Sequence, residues 1–77
     1  MTQNEMILDH LVKFGTITPM EAIEQYGCLR LAARISELKE ELKGKGLSIR
    51  TDMIQRKNRF DKTVSFAEYT LVKETNV

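Results

Sequence analysis

The sequence predicts a mainly α domain closed by a small β-hairpin, an α+β order of three helices followed by two strands. Three observations carry that expectation. Two Thr-x-x-Glu capping boxes each introduce a helical pattern of apolar residues. The apolar period falls from about 3.6 to 2 after Gly46. The 77 residues, 42% hydrophobic and 30% charged, suit a single domain over 1–77. A chain this short buries only about 60% of the surface its unfolded form exposes, so its one core is modest and a second copy is an expected partner.

In the first box, Thr2-Gln3-Asn4-Glu5, the Thr2 hydroxyl accepts the Glu5 amide while the Glu5 carboxylate reaches back. Ile7, Leu8, Leu11 and Val12 follow as an apolar stripe, and Gly15 is placed to end a first helix over about 3–14. Thr16 and Ile17, two β-branched residues between helix signals, suffice only for a bridge or an edge pair. Thr18-Pro19-Met20-Glu21 is the second box, with Pro19 at the first helical position. The second helix, about 19–26, presents Met20, Ala22, Ile23 and Tyr26 for burial, and Gly27 breaks it. Leu31, Ile35, Leu38 and Leu42 then recur at spacings of four, three and four, one narrow arc of a third helix over about 29–43. Lys43-Gly44-Lys45-Gly46 ends it, the lysines suiting the negative end of the helix dipole.

Beyond Gly46, Leu47, Ile49, Thr51 and Met53 alternate with Ser48, Arg50 and Asp52 as in a half-buried strand. A polar, basic stretch from Gln55 to Lys62 leads into a second strand with Ala67, Tyr69 and Leu71 on one face and Val64, Phe66 and Glu68 on the other. The result is a hairpin over about 47–72 with a charged tip. The change of apolar face near Phe66 and Ala67 leaves room for a bulge there. The tail, 74–77, is expected to fray.

A net charge of +1 hides a strong asymmetry. One base against four acids makes residues 1–27 carry −3, ten bases against five acids make 28–62 carry +5, and the remainder carries −1. One positive surface on a near-neutral protein is how a small domain attracts a polyanion. The first residues have neither the basic nor the apolar region of a signal peptide, and no run approaches a membrane span, so a cytoplasmic setting without membrane contact is expected. Cys28 is alone and His10 has no ligand-spaced partner, so neither a metal site nor a cofactor is expected. Cys28 reads as a small residue packed at a helix start, His10 as surface or interface, and Tyr26, Phe66 and Tyr69 as core. No nucleophile–base pair, phosphate loop or carboxylate dyad stands out, which argues against an enzyme.

Two helices joined by a Gly-containing turn, with one helix before and a hairpin after, is the winged helix-turn-helix order. The residues also resemble a small family of helix-turn-helix proteins often carried by bacteriophages and prophages. The resemblance rests on Thr18-Pro19-Met20-Glu21-Ala22 and Gly27-Cys28-Leu29-Arg30-Leu31-Ala32-Ala33-Arg34-Ile35-Ser36-Glu37-Leu38, and extends into Ile49-Arg50-Thr51 and Tyr69-Thr70-Leu71. It implies a DNA-binding protein, a regulator of transcription or an accessory to recombination.

A third helix of this length fits a major groove about 12 Å wide. Arg30 is the expected base reader through its guanidinium fork, Leu29 or Ala33 can touch a thymine methyl, and Ser36 can reach a phosphate or a base edge. Arg34 shares the flank of Arg30 but equally suits an ion pair with Glu37, and either arginine suits one with Glu21 or Glu24. Arg56, Lys57, Arg59 and Lys62 would grip flanking phosphates or the minor groove, and Thr18 at the start of the second helix can hold a phosphate. With few contacts per copy, a homodimer reading double-stranded DNA at two half-sites is expected, with the exposed part of the first helix and Leu71 and Val72 as candidate interface. Glu37, Glu40 and Glu41 oppose phosphate binding. They keep a second reading open, a protein-binding module such as a phage-encoded inhibitor of a host nucleic-acid-binding protein.

Overall fold

The computed structural model describes residues 1–73, so the expectation for 74–77 lies outside the described residues. Helix α1, Gln3–Phe14, begins at the first capping box: Thr2 Oγ1 accepts the Glu5 N–H at 3.2 Å and Glu5 Oε1 accepts the Thr2 N–H at 3.5 Å. Its buried face is Ile7, His10 and Leu11, rotated from the expected stripe: Val12 is 65% exposed and Leu8 only half-buried. Strand β1, Thr16–Ile17, makes the edge pair anticipated for it.

Helix α2, Pro19–Tyr26, starts at the second box, where Thr18 Oγ1 accepts the Glu21 N–H at 3.3 Å and Glu21 Oε1 accepts the Thr18 N–H at 3.0 Å. Of the four residues expected to be buried there, Ala22 is buried and Tyr26 half-buried, whereas Met20 and Ile23 stay exposed. The amphipathic pattern marks an apolar face on α2, yet only part of that face meets a neighbour. Gly27, at φ 64°, closes the helix: its N–H donates to the Ile23 carbonyl and that of Cys28 to the Ala22 carbonyl, both at 3.0 Å. A side chain at that φ is strained, which is why glycine ends this helix.

Helix α3, Leu31–Leu42, begins two residues after the expected start near Leu29. Arg30 is its N-cap at φ −123°, ψ 58°, and makes no side-chain capping bond, so the sequence carries no Ser, Thr, Asp or Asn to mark the boundary. Leu31, Ile35, Leu38 and Leu42 are all buried, as their spacing requires.

Strands β2, Leu47–Lys57, and β3, Thr63–Lys73, form an antiparallel ladder in one unbroken register from Leu47 opposite Lys73 to Lys57 opposite Thr63. No bulge interrupts it, β3 starts at Thr63 as expected, and β2 runs further towards the tip than the alternation suggested. β1 lies on the other side of β3, giving the order β1-β3-β2, with Thr16 opposite Thr70 and Ile17 opposite Tyr69. The change of apolar face is real without a bulge. Tyr69 and Leu71 face the helices, while Phe66 and Val64, on the alternate face, line a cleft against Thr18, Pro19, Met20 and Ile23. Phe66 is half-buried there rather than in the core. Ile7 and Leu11 of α1, Ile17 of β1, Ala22 of α2, the four α3 residues, Cys28, Ile49 and Tyr69 form one core. Three helices followed by antiparallel strands is the α+β order the sequence predicts. No described helix is long and apolar enough to cross a membrane.

Candidate nucleic-acid interface

The three sides of α3 that the core leaves free differ in character. Towards α1, Arg34 pairs with Glu37 at 2.7 Å, and Asn4 Nδ2 of α1 donates to Glu37 Oε2 at 3.0 Å. Arg34 Nε and Asn4 Oδ1 are buried there without partners. The guanidinium is therefore held between two helices, the alternative that the i+3 spacing to Glu37 had raised, and Glu41 and Glu5 line the same groove. Away from the core, Ala33, Ser36, Glu37 and Glu40 are exposed. On the third side, Lys39 and Lys43 border the start of β2 beside Gly44, Leu47 and Ser48.

The turn into α3 places Leu29, 81% exposed, and Arg30 in solvent, and Arg30 makes no ion pair among the described residues. Thr18 is less available: its N–H and hydroxyl both donate to Glu21 Oε1, at 3.0 and 3.2 Å, so a phosphate there would compete with the helix cap. Glu21 itself lies 3.7 Å from His10 Nε2. His10 is 4% exposed, not in the surface or interface position expected; its Nδ1 meets the Tyr26 hydroxyl at 2.7 Å and its ring stands edge-on to Tyr26 with centroids 5.5 Å apart. Its position next to Leu11 and three residues after Ile7 was the signal for burial. His10 thus ties α1 to the first helix of the turn motif, and Cys28 is a buried free thiol beneath the turn, packed as anticipated.

The hairpin carries the densest positive charge. Arg56 and Lys57 lie on the end of β2, while Arg59 and Lys62 lie in the connection to β3. Asn58 organises that connection: Asn58 Oδ1 accepts the N–H groups of Phe60 at 2.9 Å and Lys62 at 3.1 Å, and its own N–H donates to the Lys62 carbonyl at 2.9 Å. Lys57 approaches Asp61 at 3.4 Å, and the Arg59 guanidinium sits 5.9 Å from the Phe60 ring centroid. Among the described residues Arg56, Arg59 and Lys62 make no ion pair. Elsewhere the bases are more often engaged: Arg50 with Asp52 at 2.9 Å, Lys43 with Glu40 at 3.4 Å, and Lys13 with Asp9 at 3.0 Å. The hydrogen bond and charge of Asp9 raise the Lys13 pKa above its usual value.

Residues 2–74 match the family described as Winged helix-turn-helix domain. The chain belongs to that family. Comparison with curated proteins and with solved structures returned no match. In a winged helix-turn-helix, α2, the turn at Gly27 and α3 form the helix-turn-helix, and β2 with β3 forms the wing. The winged helix-turn-helix is typically a DNA-binding module without catalytic chemistry of its own. Among the described residues no group of three or more His, Cys, Asp or Glu is arranged to hold a metal ion. Lys39 and Lys43 form the flank of α3 opposite Arg30 and Arg34, to which the sequence reading assigned no contact, and they border the wing. A helical wheel shows both flanks of α3, but only the chain path through Gly44 and Gly46 decides which flank borders the wing.

Proposed function

We propose that this winged helix-turn-helix protein binds double-stranded DNA, as a transcriptional regulator or recombination accessory of phage or prophage type working in the cytoplasm. The observation that carries the reading is the wing end, where Arg56, Arg59 and Lys62 stand exposed and free of described ion pairs. A surface that leaves cations unneutralised releases counterions when it meets phosphates, which gives binding its salt dependence. In this reading Arg30 reads a base edge, Leu29, Ala33 and Ser36 lie along the groove floor, and Arg56, Lys57, Arg59 and Lys62 hold the backbone. Lys39 joins them on the wing side of α3, and Arg34 acts chiefly by fixing α3 against α1 through Glu37 and Asn4. Two copies reading two half-sites supply the contact area that one module lacks.

The test is a salt series of binding to random-sequence duplex, read by fluorescence anisotropy. A log–log slope of about −0.9 for each phosphate contacted is expected. Absence of binding even at low salt would overturn the DNA reading. A second reading, a protein-binding module such as a phage-encoded inhibitor of a host nucleic-acid-binding protein, is favoured by the groove between α1 and α3, which Glu5 and Glu41 line beside Arg34, itself paired with Glu37. It requires the opposite result, together with binding to a basic partner that weakens when Glu41 is changed to Gln.

A further inference from the structure

The sheet has an open edge beyond β1. β1 covers only Tyr69 and Thr70 of β3, because Pro19 turns the chain into α2. On that side the Leu71 N–H donates to the Gly15 carbonyl at 2.9 Å. Strand backbones send successive N–H and C=O groups to alternate edges, and the register with β2 is unbroken. The polar backbone groups of Thr63, Ser65 and Ala67 therefore point to the open edge, where no described backbone group bonds to them. Between them, Val64 and Phe66 line the cleft whose other wall is Pro19, Met20 and Ile23. Met20 remains 62%, Ile23 43% and Val64 42% exposed. Edges of this kind are usually blunted by lysine or proline, and residues 63–67 contain neither.

We propose that two copies of this chain pair through this edge, β3 against β3, antiparallel about a two-fold axis at Ser65. Such pairing is self-complementary and closes at two copies. An axis at Ser65 sets Ser65 opposite itself and Thr63 opposite Ala67, the residues whose backbone groups face outward. It also sets Phe66 opposite the second copy's Val64, and Glu68 opposite its Lys62, a cation without a described ion pair. An axis at Ala67 collides with β1, and one at Thr63 pairs the strand with the connection at 58–62. The charge match selects a second copy over an unrelated extended peptide, and Met20 and Ile23 of each copy close over the joined strands. The pairing deepens the two-half-site reading above, with Lys62 then engaged by the second copy's Glu68 and Arg56, Lys57 and Arg59 left for the duplex, yet it is measured without DNA, so a chain that fails to pair and a chain that fails to bind duplex are separate results.

Sedimentation velocity over a concentration series of the full chain, with amide hydrogen exchange by NMR, tests the pairing. A dimer fraction rising with concentration is expected, with added protection confined to Thr63, Ser65 and Ala67. Ser65→Pro removes only an outward N–H and leaves the β2 ladder intact, so it should weaken dimerisation roughly tenfold or more through the two symmetric hydrogen bonds lost. Glu68→Lys should weaken it as well, and adding Lys62→Glu should restore it, a result that does not depend on the proline variant folding. A chain monomeric at every concentration overturns the proposal. So does a dimer indifferent to the charge reversals, or one that instead dissociates on Phe14→Ala in the exposed part of α1.

Discussion

The inner and outer halves of the β2–β3 hairpin share one ladder and differ in what lies behind it. The inner half presses Ile49, Tyr69 and Leu71 onto the helices, with Ile49 6% and Tyr69 8% exposed. In the outer half Met53, on the same face as Ile49, is 65% exposed, and Gln55, Arg56 and Lys57 are all in solvent. Backbone pairing continues where burial on that face stops, while Ile54 and Phe66, paired on the other face, stay half-buried. The outer ladder is therefore held by its own hydrogen bonds, by the Ile54–Phe66 pair on the other face and by the anchoring of the inner half, and charge can accumulate beyond that pair at little cost to the fold.

The sharpest way to break this contrast is a matched pair of truncations. Ile49→Ala should lose about 2–5 kcal/mol of stability in urea unfolding, whereas Met53→Ala should stay within about 0.5 kcal/mol. Equal losses would show the outer half to be as well supported as the inner. Next in size, Tyr26→Phe should cost about 1–3 kcal/mol, since it leaves His10 Nδ1 buried without its partner. A neutral result there would mean that the imidazole finds another partner when α1 and α2 relax. On the binding side, Arg30→Ala should cost about 1–3 kcal/mol against a selected site and relax discrimination at one base pair, with thermal unfolding unchanged. The smallest effect belongs to the tip. Arg59→Ala should leave stability within about 0.5 kcal/mol and reduce the salt slope by about 1 on every sequence alike.

The elements most legible in the sequence are those whose signals are local. Thr2 with Glu5 and Thr18 with Glu21 mark two helix starts because each box is closed by groups three residues apart. Leu31, Ile35, Leu38 and Leu42 give the buried side of α3 for the same reason. What escaped depends on tertiary neighbours. Periodicity assigns Met20 and Ile23 to a face but not whether anything covers it, and it assigns His10 to the edge of the apolar stripe without showing that Tyr26 waits across the helix pair. The start of α3 was misplaced because Arg30 caps it by backbone geometry alone. At the candidate interface, the wing bases were visible as a run of charge, and the Arg34–Glu37 pair was foreseen as an alternative from its spacing. The position of Lys39 beside the wing was not, since it depends on how the chain crosses from α3 to β2.

The unbroken register gives the hairpin a calibrated reach. From Ile49 to Lys57 the ladder extends eight residue steps, about 26 Å at roughly 3.3 Å per residue. The hairpin is thus a lever, and a tilt of one degree at Ile49 and Tyr69 displaces the tip by about 0.5 Å over that length. Its gauge is quantised. Because side chains alternate faces, the lever can be lengthened or shortened only in steps of two residues per strand, about 7 Å, if Arg56 is to keep its face.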